Sequence, residues 1–171
     1  RMGYLARVDY RLMCDNIDWA IVHTMAKKTL TLRDLNKRLF MPQRDEAVVS
    51  HIVSASKTVE HPRIAVFSPS KQHATEFAAK LNSSGIAAAN VSTDDKVQRR
   101  RVLMDFAAGN IAAVTAVDVL NEGIDVPEVN ILVFLRATHS RRIFIQQLGR
   151  GLRIAPGKQK VVVLDFVTDI R

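Results

Sequence analysis

The stretch QQLGRGLR, from Gln146 to Arg153, sets Arg150 and Arg153 three residues apart with Gly149 and Gly151 beside the first of them. Side chains at i and i+3 share one side of a helical turn, and glycine lets backbone come close to a ligand. Guanidinium groups are permanently charged planar forks that match phosphate geometry. Such a pair can clamp a phosphoryl group and stabilise charge developing on it. The competing use is a salt-bridge network, which needs carboxylates. From Val129 through Leu164 there is no Asp or Glu, while Arg136, Arg141, Arg142, Arg150, Arg153, Lys158 and Lys160 all fall inside. Carboxylates from elsewhere in the fold keep the salt-bridge use open. A solvated face would normally mix both signs, so the run reads as a site for anions.

Two further loops could carry chemistry. In Phe67-Ser68-Pro69-Ser70 the small hydroxyl side chains stand before a helical segment, where they could hold a phosphate; simple N-capping by Ser70 is the alternative. In Val117 to Pro127, the acids around Gly123 and the closing Pro127 make a rigid polar loop suited to hydroxyls or cations. Ordinary turn chemistry accounts for the same composition. The five histidines, His23, His51, His61, His73 and His139, lack the H-E-x-x-H spacing of a metal site.

These loops need a scaffold. The 171 residues suffice for one domain with a full core and a small appendage, and 47% hydrophobic with 25% charged residues describes a globular chain. No run approaches the roughly 18 apolar residues of a membrane span, and the start lacks a signal-peptide core, so a cytoplasmic protein without a membrane partner is expected. One cysteine, Cys14, excludes an internal disulfide. The net charge of +8 points towards phosphate polymers.

Residues 1–60 read as an edge strand around Tyr4 to Tyr10, a helix over Leu32 to Phe40 ended by Pro42, and a second helix from about Arg44 to Ser56 with Ala47, Val48 and Ile52 on one side. This part is expected to be a strand and helical connector from the preceding part of a longer parent. Residues 61–171 alternate short apolar runs with amphipathic segments: strand 64–67, helix 71–84 stopped by Gly85, strand 87–91, helix 95–107 closed by Gly109, strand 111–116, strand 130–135, helix 142–148 and strand 160–166. Strands apolar on both faces and separated by helices predict an α/β fold, a parallel β-sheet sandwiched by helices. In such sheets ligands sit beyond the carboxyl ends of the strands, where all three loops fall.

The order Ile64 to Ser70, Val114 to Pro127 and Gln146 to Arg153 resembles motifs IV, V and VI of superfamily-two helicases and translocases. It is most similar to the restriction-enzyme-like DEAD/DEAH branch, through N-E-G-I-D-V-P (Asn121 to Pro127), Leu135 to Ser140, and Q-Q-L-G-R-G-L-R, followed by Gly157-Lys158 and Val163-Leu164-Asp165-Phe166. The resemblance covers about residues 61–167 and implies a RecA-like second lobe of an ATP-driven motor. It implies that Arg150 and Arg153 reach the γ-phosphate of ATP held by the N-terminal RecA-like lobe of the same parent, with Arg153 as arginine finger and Gln146 organising the site. Gly123 and Asp125 match positions near the nucleotide ribose. Ser68 and Ser70, Arg99, and Val117 with Asp118 match the side facing nucleic acid, with DNA the expected partner and RNA the alternative.

Two departures stand out. Val117 occupies a position where many relatives carry Thr, so a hydroxyl contact to nucleic acid is lost or moved. Val91-Ser92 replaces a His-Gly pair, although Arg99 keeps the basic position in the helix beyond it. No G-x-x-x-x-G-K-[ST] loop is present, because the one Gly-Lys pair, Gly157-Lys158, is followed by Gln159. Asp45-Glu46-Ala47-Val48 looks like a DEAH box but lies at a helix start. ATP and magnesium are therefore expected to be held mainly by the other lobe, and the chain alone to be inactive. The alternatives are a non-catalytic nucleic-acid-binding module, or the motor lobe of a restriction enzyme subunit.

Overall fold

The computed structural model describes residues 7–13, 42–117, 128–136 and 160–166. They form six parallel strands, β1 Arg7–Leu12, β2 Ile64–Phe67, β3 Ala88–Asn90, β4 Ala113–Ala116, β5 Ile131–Phe134 and β6 Lys160–Asp165, and three helices, α1 Pro42–Ser56, α2 Lys71–Ser83 and α3 Lys96–Ala108. The sheet order is β1-β6-β5-β2-β4-β3. The expected parallel α/β sheet with helices on both faces is present.

Period-two alternation builds two cores. Ala65 and Phe67, Leu132 and Phe134, Val114 and Ala116, and Val161 and Val163 point to one face, which Phe106 of α3 covers. Ile64 and Val66, Ile131 and Val133, and Val162 and Leu164 point to the other, covered by Val48, Val49, Ile52 and Ala55 of α1 and by Phe77 and Leu81 of α2. Strands buried on both faces have no solvent side, which is why β2 and β5 read as short unbroken apolar runs.

The helix ends obey local chemistry. Ser70 caps α2, its hydroxyl accepting from the His73 N–H, and Asp95 caps α3 by accepting from the Val97 and Gln98 N–H groups. Beyond α2, Gly85 takes φ +84°. There the Gly85 N–H donates to the Asn82 carbonyl and that of Ile86 to the Leu81 carbonyl, the paired bonds of a Schellman stop. Gly109 closes α3 in the left-handed region in the same role.

One expectation about residues 1–60 changes. Ala47 is exposed, and the buried stripe of α1 is Val48, Val49, Ile52 and Ala55; docking on the sheet, not composition, set the phase of this helix. Residues 7–12 add a strand to the sheet, and residues 42–56 pack on one of its cores. β1 is indeed an edge strand, shifted to Arg7–Leu12, and pairs in parallel with β6. The Asp45-Glu46 pair lies near the start of α1 as expected, Asp45 in its first turn. Asp45 is buried and bonded through both carboxylate oxygens to Nε2 of His73 at 3.1 Å, which pins α1 to α2. The helices expected over 32–40 and 142–148 lie outside the described residues.

Candidate nucleic-acid and nucleotide interface

The strands that lead into the first two loops, β2 and β4, are neighbours. β2 lies between β4 and β5, so the ends of motif strands 64–67, 113–116 and 131–134 meet at one carboxyl edge. Backbone bonds continue past the strands: Ser68 N–H donates to the Ala116 carbonyl at 2.7 Å, and Leu135 N–H to the Phe67 carbonyl at 2.9 Å. Phe67 and Phe134 stack beneath this edge with centroids 5.5 Å apart. The loops thus leave a floor that cannot shift without breaking the sheet.

Ser68 is fully buried, and its Oγ has no hydrogen-bond partner among the described residues. An orphaned buried hydroxyl costs about 1–3 kcal/mol, and such groups call for a partner from a bound molecule or water. Ser70 is exposed, but its hydroxyl serves as the α2 cap, so the capping alternative is realised. Arg99 turns its guanidinium inwards, donating to the Val91 carbonyl at 3.2 Å and to that of Thr93. It moulds the loop between β3 and α3.

The peptide groups of Val117, where the loop to Pro127 begins, are held from two sides. Its N–H donates to Oγ of buried Ser92 at 2.7 Å, and its carbonyl accepts from Nη1 of Arg136 at 2.8 Å. With an apolar side chain and its N–H already engaged, Val117 acts as a fixed anchor. Ser92 and Arg136 are the residues that sequence reasoning missed in this role. Both carried a signal, since Ser92 stands in place of a small Gly and Arg136 opens the acid-free run, but only the three-dimensional meeting of β3, β4 and β5 reveals the clamp.

Nearby, Lys71 at the start of α2 pairs with Asp94 before α3, Nζ to Oδ1 2.6 Å. The hydrogen bond from Lys71, then its charge, holds the Asp94 carboxyl below the usual carboxylate range. Asp118, Gly123, Asp125, Gln146, Arg150 and Arg153 lie outside the described residues. Among the described residues no cluster of three or more His, Cys, Asp or Glu could hold a metal ion. No helix among them is long and apolar enough to cross a membrane.

Residues 43–155 match the family model described as the helicase conserved C-terminal domain. UvrABC system protein B of Chlamydia abortus is 37% identical over 105 residues, covering 56% of this chain and 16% of that protein. The ATP-dependent RNA helicase eIF4A of Pyricularia oryzae is 25% identical over 148 residues, 85% of this chain and 37% of that protein. The chain therefore spans well under half the length of either relative. Among solved structures, the Hef helicase domain of Pyrococcus furiosus superposes with a TM-score of 0.58 at 24% identity, over 88% of this chain and 29% of that one. That likeness is one of fold.

Proposed function

The chain belongs to the family of helicase conserved C-terminal domains, and from that premise we propose that it is the C-terminal lobe of an ATP-dependent helicase or translocase acting on DNA. The observation that supports this reading is the carboxyl edge of the sheet, where the ends of β4, β2 and β5 lie side by side, with a buried Ser68 hydroxyl that has no partner among the described residues and a clamped Val117. A polyanion suits this chain, because the run from Val129 through Leu164 holds seven arginines and lysines and no acid.

In this reading Arg150 and Arg153 face the phosphates of ATP carried by a second lobe, with Gln146 organising them and Gly123 and Asp125 beside the ribose. The donor set fits a phosphate group: permanently charged, planar and without competing carboxylates in its own stretch. ATP, when bound, supplies the phosphoanhydride to be cleaved. What this chain contributes is neutralisation of the charge that builds up on cleavage, on the order of 10³ to 10⁵ in rate for an arginine finger. Ser68 and Asp118 face the nucleic-acid backbone, while Arg99 and Val117 shape the loops that do so and Ser70 caps α2.

The test is kinetic. In the full-length parent, Arg153→Ala is expected to lower ATP turnover about a thousandfold or more while changing nucleotide affinity little. Equal loss of both would reduce Arg153 to a binding residue and overturn the finger. The 171-residue chain alone is expected to show negligible ATPase activity, and robust hydrolysis by it would overturn the half-site.

A further inference from the structure

Helix α3 exposes apolar side chains in the middle of a basic face. Its inner side is Phe106, fully buried, with Val102 and Leu103 packed against the same core. The outer side carries Val97, 79% exposed, and Met104, 64% exposed, with Lys96, Arg100 and Arg101 around them, all exposed. Positions 97, 100, 101 and 104 form one stripe two turns long, about 10 Å. The stripe borders a solvent-open concavity of about 530 Å³, lined among the described residues by Lys96, Val97, Arg100, Arg101, Met104 and Asp105.

The charges of this face are not neutralised locally. Asp94 is paired with Lys71, Asp95 is occupied as the helix cap, and Asp105 accepts from the Asn110 side chain. Among the described residues no ion pair engages Lys96, Arg100 or Arg101. Helix α2, of the same length, shows the ordinary alternative: its exposed positions include Lys71, Gln72, Thr75, Glu76, Ala79, Asn82 and Ser83, which are mostly polar and carry both signs.

We propose that the outer face of α3 is a docking surface for an acidic amphipathic helix of a protein partner, whose apolar stripe covers Val97 and Met104 while its flanking carboxylates meet Lys96, Arg100 and Arg101. Charge complementarity selects an acidic occupant, and apolar anchors at i and i+7 match the spacing of a helical partner. A nucleic-acid backbone would satisfy the cations but leave Val97 and Met104 against phosphates, with no apolar surface to cover them. A second copy of this chain would bring like charge to like charge, since the chain carries +8. This surface lies on the solvent side of α3 and does not depend on the proposed motor activity.

The experiment uses the 171-residue chain and a fluorescein-labelled helical peptide of leucine and glutamate, with leucines spaced i, i+3, i+4, i+7, monitored by anisotropy. Saturable binding is expected. It should weaken about tenfold or more in Val97→Gln/Met104→Gln and equally in Arg100→Glu/Arg101→Glu, and a peptide of the same composition with its leucines scattered around the helix should bind about tenfold more weakly. All four positions are exposed and glutamine and glutamate favour helix, so circular dichroism should match the parent chain; Val97→Ala/Met104→Ala serves if it does not. Affinity for a labelled single-stranded DNA should be unchanged in Val97→Gln/Met104→Gln. Absence of peptide binding, or binding indifferent to the apolar pair, overturns the proposal. Loss of DNA affinity on charge reversal, without any effect of the apolar pair on peptide binding, would make the face a nucleic-acid rail instead.

Discussion

Helices α2 and α3 are both 13 residues long, both begin at a side-chain cap and both end at a glycine in the left-handed region. They differ in how they are held. α2 buries Ala74, Phe77, Ala78 and Leu81, and the Thr115 hydroxyl of β4 donates to the Ala74 carbonyl at 2.7 Å, tying the helix to the sheet. α3 buries only Phe106 completely and rests on the half-buried Val102 and Leu103. Equal length and equal caps thus give unequal attachment, because tertiary burial, not helix propensity, supplies most of a helix's stability. The well-attached helix presents a plain polar face, and the lightly attached one presents the surface with features to bind.

The largest expected effects test that attachment. Phe77→Ala and Phe106→Ala should each destabilise by about 3–5 kcal/mol in denaturant unfolding. Their hydrogen-exchange patterns should differ: Phe106→Ala should strip protection selectively from residues 96–108, whereas Phe77→Ala should lower protection across the sheet. Matching patterns would mean that α3 is held as firmly as α2. Next come the stops. Gly85 and Gly109 sit at φ +84° and +87°, so alanine at either should cost about 1–2 kcal/mol. A Cβ at Gly85 would meet nothing within 4 Å, while one at Gly109 would lie 2.2 Å from Nη2 of Arg63. Gly109→Ala should therefore be the more costly of the two by thermal melting, by whatever moving that guanidinium costs; equal losses would mean that Arg63 yields freely.

The smallest effect concerns the link between the two helices, the Lys71–Asp94 pair. Lys71→Met should raise the Asp94 pKa towards its ordinary value in an NMR titration. The native carboxyl is depressed, so any stabilisation from the pair is present above the unfolded pKa, about 3.9, and is lost as pH falls through the folded value. Both partners are exposed, so salt should screen the effect. An unmoved titration in the variant would show that the pair does not form in solution.

Much of the fold is legible in the sequence because it is local. The stripe Ala74, Phe77, Ala78, Leu81 repeats at helical spacing, Ser70 and Asp95 stand where caps stand, and a glycine comes after both α2 and α3. Strand 64–67 is an unbroken apolar run between Pro62 and Ser68-Pro69. Where readings slipped, the deciding term was not local. Ala47 is small and apolar, so exposure costs it little, and the sheet selected Val49 and Ala55 instead. Strand ends contracted, 111–116 to Ala113–Ala116 and 87–91 to Ala88–Asn90, because a strand extends only as far as its partner does.

The site divides in the same way. The order of motifs and the excess of cations are properties of the chain as written, and the motif order pointed to the family. That Ser92 and Arg136 hold Val117 from both sides, that Arg99 turns inwards, and that Ser68 ends buried without a partner among the described residues depend on β3, β4, β2 and β5 lying side by side. The position of β1 is the extreme case: its charged, half-exposed residues pair with β6 over a separation of more than 150 residues. Local pattern determined which elements form, since propensity and period act over a few residues. Only the assembled sheet decided which side chains meet, because those contacts join strands that are distant in sequence.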